Sequence, residues 1–377
     1  MKPKFPYNDI MSLLDVDLKH NLGESTSQDL VFGELLDEEL IQALQELRLG
    51  YGSSQGLPQL REVLGEKLAI DPDKLLITNG AVAGIFLSVF CLCGEEDEII
   101  VTTPNFPPTI DIINAIGAVK KDLTFRFGNQ YQIDLDELSS LVTEKTRLII
   151  LVSPHNPSGK NVEPKDIDKV LQIMQQQAPE AYLLIDETYR EAMYSDEPPH
   201  PSAANLSDKI ITTASLSKCH GAPGLRIGWL SCHDDQLLQQ LTIAKLNTVI
   251  SCSVVDEVIG LHVLKKNDLV LSQRQALLKQ AIATVETWVD QQQELIEWVK
   301  PDAGALCCVR LRDDKFSGEQ AKRFQQLAAQ HQVQIAFGEW FQDEGRIFRI
   351  GFGYPKPADL KPALDALTGL LNAVLSE

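Results

Sequence analysis

The chain has 377 residues, which is enough for two domains or one large one with a sizeable core. Its apolar content of 44% and charged content of 23% are ordinary for a globular protein. The net charge of −19 argues against binding to a nucleic-acid backbone, and no stretch approaches the 18 uncharged apolar residues of a membrane span.

The cysteines and the amino-terminal residues favour a cytoplasmic protein without a metal site. The seven cysteines are odd in number and lack the spacing of disulfide frameworks or zinc sites, so they predict reduced thiols. The first twenty residues are interrupted by proline and aspartate and do not predict a signal peptide.

The first part of the chain predicts an irregular segment followed by helices. Residues 1–30 show no regular pattern, whereas the apolar residues of 34–48 recur at helical spacing. Residues 50–56 are rich in glycine and predict a loop, after which Pro58 predicts the start of a helix.

From residue 74 onward, short apolar runs alternate with helical patterns. The runs are continuously apolar and cover 74–78, 99–101, 147–152, 182–185, 210–213 and 227–230. Such runs are typical of strands buried on both faces, so they predict a parallel or mostly parallel sheet with helices on both sides. After residue 232 the chain turns helical and then mixes strands with helices.

The predicted fold class is therefore α/β, with three layers around a mostly parallel sheet and a smaller α+β domain. We expect residues 1–45 to form an amino-terminal arm and part of the small domain. Residues 46–265 then form the large domain, and residues 266–377 form the rest of the small one.

Polar residues recur where the predicted strands end, which is where open α/β sheets bind ligands. A glycine turn that opens a helix offers free N–H groups to a phosphate. Each position alone is also compatible with a helix cap or a turn, but their order along the chain predicts one site. The residues are Gly80, Ala81 and Val82 after the first run, Asn156 after the third, Asp186 and Tyr189 after the fourth, and Ser215, Ser217 and Lys218 after the fifth.

Lys218 lies between a β-branched strand and a glycine-rich turn. By itself it fits either an exposed loop lysine or an amine that loses its proton and attacks a carbonyl group. The other strand-end residues favour the second interpretation.

These motifs resemble those of fold-type I pyridoxal-phosphate enzymes of the class I/II aminotransferase family. The similarity extends from about Tyr51 to Gly353, in the motifs HNPSG (155–159), DETY (186–189), SLSK (215–218), GLRIGW (224–229) and RIGF (349–352). The resemblance implies that the cofactor is pyridoxal 5′-phosphate and that residues 46–265 bind it.

The resemblance also implies a role for each residue. Lys218 would hold the cofactor as a Schiff base and then move the substrate's Cα proton. Asp186 would pair with the pyridine nitrogen, and Asn156 and Tyr189 would bind the phenolic oxygen. The phosphate would be bound by Gly80, Ala81, Val82, Ser215, Ser217 and Arg226.

Three further residues lie where the family contacts the cofactor or the substrate. Phe106 would stack on the cofactor ring, although core packing is an alternative. Arg349, with Asn156 nearby, would bind the substrate carboxylate, although a surface ion pair is an alternative. Tyr51 would reach the phosphate of the other subunit in a homodimer. For Ser217, a purely local role in the turn also remains open.

The segment 21–35 departs from common aminotransferases, because polar residues replace the expected glycine and proline. Its FGEL stretch (32–35) resembles the capreomycidine synthases, which, like the enduracididine-forming cyclodehydratases, cyclise a hydroxylated arginine. This resemblance implies loss of water and ring closure by the guanidine, without net amino transfer. Asp9, Glu24 and Thr26 are the candidates for contact with the substrate side chain, unless this arm is merely solvated.

Two other functions remain open from the sequence. One is a conventional aminotransferase that moves an amino group from an amino acid to a 2-oxo acid. The other is a non-catalytic module that kept the fold, against which the intact Lys218 argues.

Overall fold

The strands of the computed structural model, which describes residues 4–8, 11, 18–195 and 197–377, form three sheets. In chain order they are β1 (His20–Asn21), β2 (Leu75–Asn79), β3 (Glu98–Thr103), β4 (Val119–Thr124), β5 (Thr146–Val152), β6 (Tyr182–Asp186), β7 (Ile210–Ser215), β8 (Ile227–Cys232), β9 (Ile296–Val299), β10 (Leu306–Leu311), β11 (Val333–Gln334), β12 (Ala336–Phe337) and β13 (Ile347–Gly351).

The helices range from a single turn to 25 residues. In chain order they are α1 (Phe32–Leu35), α2 (Glu38–Glu46), α3 (Pro58–Leu68), α4 (Ala81–Leu92), α5 (Pro107–Ile116), α6 (Leu135–Leu141), α7 (Pro164–Gln177), α8 (Asp235–Val249), α9 (Val254–Lys265), α10 (Asn267–Gln291), α11 (Gly318–Gln330) and α12 (Pro357–Ser376). Within the described ranges, none of them has the length and apolar character needed to span a membrane.

The largest sheet has seven strands in the order β2-β8-β7-β6-β5-β3-β4. Strands β3 to β7 are parallel to one another, whereas β8 is antiparallel to both of its neighbours. This reversal brings the amino end of β8 to the edge where the other strands finish, since Ser215 pairs with Gly228 and Asn79 pairs with Ile227. The mostly parallel sheet confirms the predicted fold class.

Strand β5 shows why the apolar runs predict a three-layer structure. Its side chains alternate between two cores, with Ile149 and Leu151 in one and Leu148 and Ile150 in the other. The first core is closed by α6 and α7, and the second by α4, α5 and α8. Each such fully buried side chain stabilises the fold by roughly 1.5–3 kcal/mol.

The edge strand β4 was not predicted from the sequence. Its residues VKKDLT are mostly polar, and only Leu123 is fully buried. Lys121 forms an ion pair of 2.7 Å with Glu98 of the neighbouring strand. Charged side chains are typical of an edge strand and hide the apolar pattern on which the prediction depends.

The four-stranded sheet has the order β12-β13-β10-β9 and is antiparallel. Residues of α10, α11 and α12 form one core with it. The short strand β1 pairs in parallel with β11, so the amino-terminal segment is attached beside this sheet. The domain boundaries at residues 45 and 265 stay a prediction.

Candidate active site

The carboxyl ends of β5, β6 and β7 place Asn156, Asp186 and Lys218 at one edge of the seven-stranded sheet. Asp186 is the last residue of β6, and Lys218 follows the end of β7 by three residues. Tyr189 lies in the turn after β6 and is buried, and its phenol is 3.5 Å from the Nδ2 donor of Asn156. The parallel register therefore brings these sequence-predicted residues together.

Asp186 is a carboxylate in a poorly solvated position. Burial raises its pKa, against the opposite effects of Thr188 and of the Lys218 ammonium. Thr188 donates both its backbone N–H, at 3.0 Å, and its hydroxyl to the carboxylate. A desolvated carboxylate is stabilised by a further cationic donor, such as a protonated ring nitrogen.

The amino end of α4 and the start of β8 form an anion cradle. Gly80 has a φ of +76°, and a methyl group there would overlap the guanidinium of Arg226. No side chain caps α4, so the first-turn N–H groups, including those of Ala81 and Val82, remain available to an anion. Arg226 donates to the Pro223 carbonyl at 2.8 Å, which holds its guanidinium beside this turn.

Ser215 is the last residue of β7, Ser217 lies in the loop that leads to Lys218, and both are buried. The Ser217 N–H donates to the Ser215 hydroxyl oxygen at 3.3 Å. Phe106 is half-buried at the start of α5, after β3 reaches the same edge of the sheet. Its N–H donates to the Asn105 side chain at 2.6 Å.

His155 joins two of these loops without taking part in chemistry. Its Nε2–H donates to the Pro104 carbonyl at 2.9 Å, and its Nδ1 accepts from the Ser158 hydroxyl at 2.8 Å. Burial lowers the pKa of His155 to about 4, so the imidazole stays neutral near neutral pH. It therefore positions the loop that leads to Phe106 against the loop that contains Asn156.

Arg349 is a buried guanidinium on β13. It donates to the Asn156 side-chain oxygen at 3.0 Å and to the Gly23 carbonyl, but its Nε has no hydrogen-bond partner within the described residues. Burial lowers its pKa, while Tyr189 and Glu24 act in the opposite direction. Among the described residues it belongs to no ion pair within 4.0 Å, so a ligand carboxylate would be a fitting partner.

The amino-terminal segment 18–30 lies directly over Lys218. Glu24 Oε1 is 3.4 Å from Lys218 Nζ, and Ser25 Oγ is 3.0 Å from it. Tyr189 donates its hydroxyl to the same Ser25 oxygen at 3.1 Å. The segment is therefore part of the site, rather than the solvated arm that the sequence left as an alternative.

Glycines allow the backbone of this segment to approach so closely. A methyl group at Gly351 would overlap the carbonyl oxygen of Glu24, and one at Gly221 would overlap that of Gln28. Backbone hydrogen bonds hold the same path, from Ser27 N–H to the Lys218 carbonyl at 3.2 Å and from Gly351 N–H to the Leu22 carbonyl at 2.7 Å.

Glu24 is an ionised carboxylate held in a fixed orientation. Burial alone would raise its pKa, but Lys218, the Ser25 N–H and Arg349 together lower it. Its Oε1 accepts the N–H groups of Ser25, at 2.7 Å, and Thr26, at 3.1 Å. The Thr26 hydroxyl is buried without a hydrogen-bond partner.

One of the predicted residues is not brought to this cluster, and another is not described by the structure. Tyr51 is 85% exposed on the surface of the single chain. Asp9 lies outside the described residues.

Ser25 was missed by the sequence analysis although it contacts both Lys218 and Tyr189. The available signal was its place between Glu24 and Thr26, in the stretch where polar residues replace the usual glycine and proline. A serine in a polar stretch is too common for that signal to select it.

The donors at the sheet edge fit pyridoxal 5′-phosphate. A lysine amine suits its aldehyde, the desolvated Asp186 suits its ring nitrogen, and the turn at Gly80 with Arg226 suits its phosphate. The unpaired Nε of Arg349 suits the carboxylate of an amino acid beside the cofactor.

Comparisons with known proteins agree with this chemistry. The family model described as Aminotransferase class I and II matches residues 19–367. The capreomycidine synthase of Streptomyces vinaceus is 27% identical over 371 residues, which cover 97% of this chain and 93% of that protein.

Solved structures show the same fold. A PLP-dependent aminotransferase from Streptococcus suis 89-1591 has a TM-score of 0.89 at 25% identity, with 98% of this chain and 99% of that one covered. The PLP-dependent cyclase OrfR has a TM-score of 0.84 at 23% identity, with 97% and 95% covered, a likeness that concerns the fold alone.

Proposed function

The chain belongs to the class I and II aminotransferase family and is a pyridoxal 5′-phosphate-dependent enzyme, and from this premise we propose that it is a cyclodehydratase. Its substrate is a hydroxylated L-arginine, and its product is a cyclic guanidino amino acid of the capreomycidine or enduracididine type.

The observation that carries this proposal is the ionised Glu24 carboxylate, 3.4 Å from the amine of Lys218. A carboxylate oxygen accepts charge-assisted hydrogen bonds from a guanidinium. Because Ser25 and Thr26 hold Oε1, we assign Oε2 to the substrate guanidinium. The likeness to a capreomycidine synthase over almost the full length supports the same substrate class.

The residues of the chain have separate tasks in this reaction. Arg349 binds the α-carboxylate, Glu24 orients the guanidinium, and Lys218 Nζ takes up the Cα proton. The lowered pKa of Glu24 makes it unsuited to be the acid that helps hydroxide to leave. The cofactor, when bound, supplies the electron sink that makes the Cα proton acidic.

The proposed reaction is balanced without any oxidant or amino acceptor. The C–O bond of the side-chain hydroxyl breaks, and the oxygen leaves as water. One guanidine nitrogen forms a C–N bond to a carbon of the substrate's own side chain and loses a proton. Cα regains the proton that it lost. The product is the substrate minus one water, with all of its nitrogen retained.

We also propose a homodimer in which Tyr51 reaches the phosphate of the partner subunit. Its 85% exposure in the single chain supports this role, because an aromatic ring at the surface next to a glycine-rich loop is available to a second copy.

Mass spectrometry of products tests the proposed function. The holoenzyme is incubated with L-arginine hydroxylated at Cβ or at Cγ, with and without a 2-oxo acid. The expected product has lost one water and keeps every nitrogen, whether or not the 2-oxo acid is present. A 2-oxo product that forms only with the acceptor would instead establish an aminotransferase.

A conventional aminotransferase is the second candidate function. The observation in its favour is the buried Arg349 beside Asn156, which fits the carboxylate of any amino acid. The aminotransferase of Streptococcus suis, with its TM-score of 0.89, supports this alternative. The third possibility, a non-catalytic module, would require that the purified protein bind no cofactor.

A further inference from the structure

Ser25 links the amine and the phenol of the active site. Its hydroxyl oxygen accepts hydrogen bonds from Lys218 Nζ at 3.0 Å and from the Tyr189 hydroxyl at 3.1 Å. The side chain is buried, and the backbone on either side of it is held by Glu24 and by the Lys218 carbonyl. The hydroxyl is therefore fixed at the place where Lys218 gains and loses protons.

The two hydrogen bonds that the Ser25 oxygen accepts leave its own O–H without an assigned acceptor among the described residues. A serine oxygen has two acceptor positions and one O–H, and here Lys218 and Tyr189 fill both acceptor positions. Within the described part of the chain, no acceptor is bonded to the Ser25 O–H. The O–H is thus free to donate to a ligand beside Lys218.

We propose that Ser25 is the acid that protonates the leaving hydroxyl of the substrate, a role that rests on the proposed cyclodehydratase function. Lys218 Nζ first takes the Cα proton. As the C–O bond breaks, the Ser25 O–H donates its proton to the departing oxygen, which leaves as water. At the same time Lys218 Nζ–H returns a proton to Ser25 Oγ, so that the serine never becomes an anion.

The proton balance is completed when the ring forms. When a guanidine nitrogen bonds to the side-chain carbon, it loses one proton to Lys218 Nζ, which has already passed its first proton to Ser25. Lys218 then returns this proton to Cα. Glu24 cannot replace Ser25, because its lowered pKa keeps it ionised. The Tyr189 hydroxyl cannot donate to the leaving group while it donates to Ser25.

The test compares two leaving groups in the holoenzyme. Hydroxide needs a proton to leave, whereas chloride at the same carbon of arginine does not. Ser25→Ala should lower kcat for hydroxyarginine by about 10²–10⁴-fold with little change in KM. The same variant should convert the chloro analogue at close to the wild-type rate, corrected for an enzyme-free blank. Ser25→Thr, which keeps the hydroxyl, should restore most of the lost rate.

Ser27→Ala is the matched control, since Ser27 is buried two residues away and its hydroxyl has no hydrogen-bond partner in the part of the chain that the structure describes. It should leave both reactions unchanged. Equal losses on the two substrates in Ser25→Ala, or no loss on either, would overturn the acid role. Failure of the wild-type enzyme to cyclise hydroxyarginine would instead refute the proposed function. That result needs no variant, so it is distinguishable from failure of the role proposed for Ser25.

A second measurement needs no turnover. The absorbance of the lysine-bound cofactor is titrated with pH in the wild type and the variants. Removal of the Ser25 oxygen takes an acceptor from the protonated lysine nitrogen, so Ser25→Ala should lower the titration midpoint by about one pH unit. Ser25→Thr and Ser27→Ala should keep the wild-type midpoint. An unchanged midpoint in Ser25→Ala would show that Ser25 does not contact the lysine nitrogen in the holoenzyme, and the proposed role would then be wrong.

Discussion

The strand-end loops and the amino-terminal segment meet at one site, but different forces hold them in place. Asn156, Asp186 and Lys218 follow neighbouring strands of a buried sheet, so the register of that sheet fixes their separation. The segment 18–30 contains only the two-residue strand β1, and contacts with Gly221 and Gly351 define its path. We expect this difference to separate cofactor binding, which depends on the sheet, from the proposed contacts with the substrate side chain, which depend on the segment.

The chain is anchored in a different core on each side of Glu24 and Ser25. Leu22 is buried in the core of the four-stranded sheet, whereas Leu35 is buried in the core that contains α3 and α9. Each contributes roughly 1.5–3 kcal/mol. The residues between them can therefore change in sequence without loss of either anchor.

Removal of Lys218 should have the largest effect. Lys218→Ala deletes the amine to which we assign both the covalent bond to the cofactor and the transfer of the Cα proton, so turnover should fall by at least about 10⁴-fold. Mass spectrometry after borohydride reduction should find no cofactor attached to the variant. Lys361→Ala, on an exposed turn of α12, is the control and should retain both properties. Covalent cofactor on Lys218→Ala would assign the attachment to another lysine.

A change on β13 that displaces the segment should preserve cofactor binding while it lowers turnover. The methyl group of Gly351→Ala would displace Glu24 and Ser25 from Lys218, and misplacement by about 1 Å costs on the order of 10²-fold in rate. The cofactor should still bind to Lys218, and the pH midpoint of its absorbance should fall as in Ser25→Ala, because Ser25 moves away from the amine.

The control for this prediction is Gly369→Ala in α12, where no atom lies within 4 Å of the added methyl group. It should keep full activity and gain about 0.5–1 kcal/mol in the free energy of unfolding. Full activity in Gly351→Ala would mean that the segment does not position the reacting groups.

Replacement of one charge in the segment should have a smaller effect. Glu24→Gln keeps the shape but loses the charge-assisted hydrogen bonds to the guanidinium, so kcat/KM for hydroxyarginine should fall about 10–100-fold. Because the pKa of Glu24 is lowered, its carboxylate stays ionised above pH 4.5. The ratio of wild-type to variant rates should therefore be constant above about pH 5 and shrink only as pH falls through the lowered pKa.

Glu34→Gln is the control for this charge. Glu34 belongs to the FGEL stretch but is half-exposed, 4.0 Å from Arg274, and we expect no loss of specificity from its substitution. If Glu34→Gln lowered kcat/KM for hydroxyarginine more than Glu24→Gln does, Glu34 of α1 would be the residue that contacts the guanidinium.

The sheet and its strand-end residues could be predicted because their signals are local. The continuous apolar run at 147–152 indicates a strand buried on both faces, and the order of Asn156, Asp186 and Lys218 matches a known family. The structure then shows why Arg226 joins them, since β8 is reversed and starts at the edge where the others end.

The contacts of Ser25 and Glu24 could not be predicted because they are not local. Glu24 and Lys218 are 194 residues apart, and no periodic pattern relates them. Their meeting depends on the β1–β11 pairing and on the small size of Gly351, which together set the path of the segment. A sequence identifies the unusual polar residues there, but only the packed structure shows which of them face the lysine.

Tyr51 belongs to neither region of its own chain, and its substitution should have the smallest effect. Tyr51→Phe would remove the hydrogen bond that we propose between Tyr51 and the phosphate, while the Gly80 turn and Arg226 remain, so the cofactor dissociation constant should rise about tenfold. Titration of the apoenzyme with pyridoxal phosphate measures it. A mixture of Tyr51→Phe and Lys218→Ala chains tests the crossing, because a hybrid dimer would unite an intact lysine with an intact tyrosine. Wild-type affinity should then return in part of the sites, whereas a mixture that binds no better than its two components would place Tyr51 outside the partner's site.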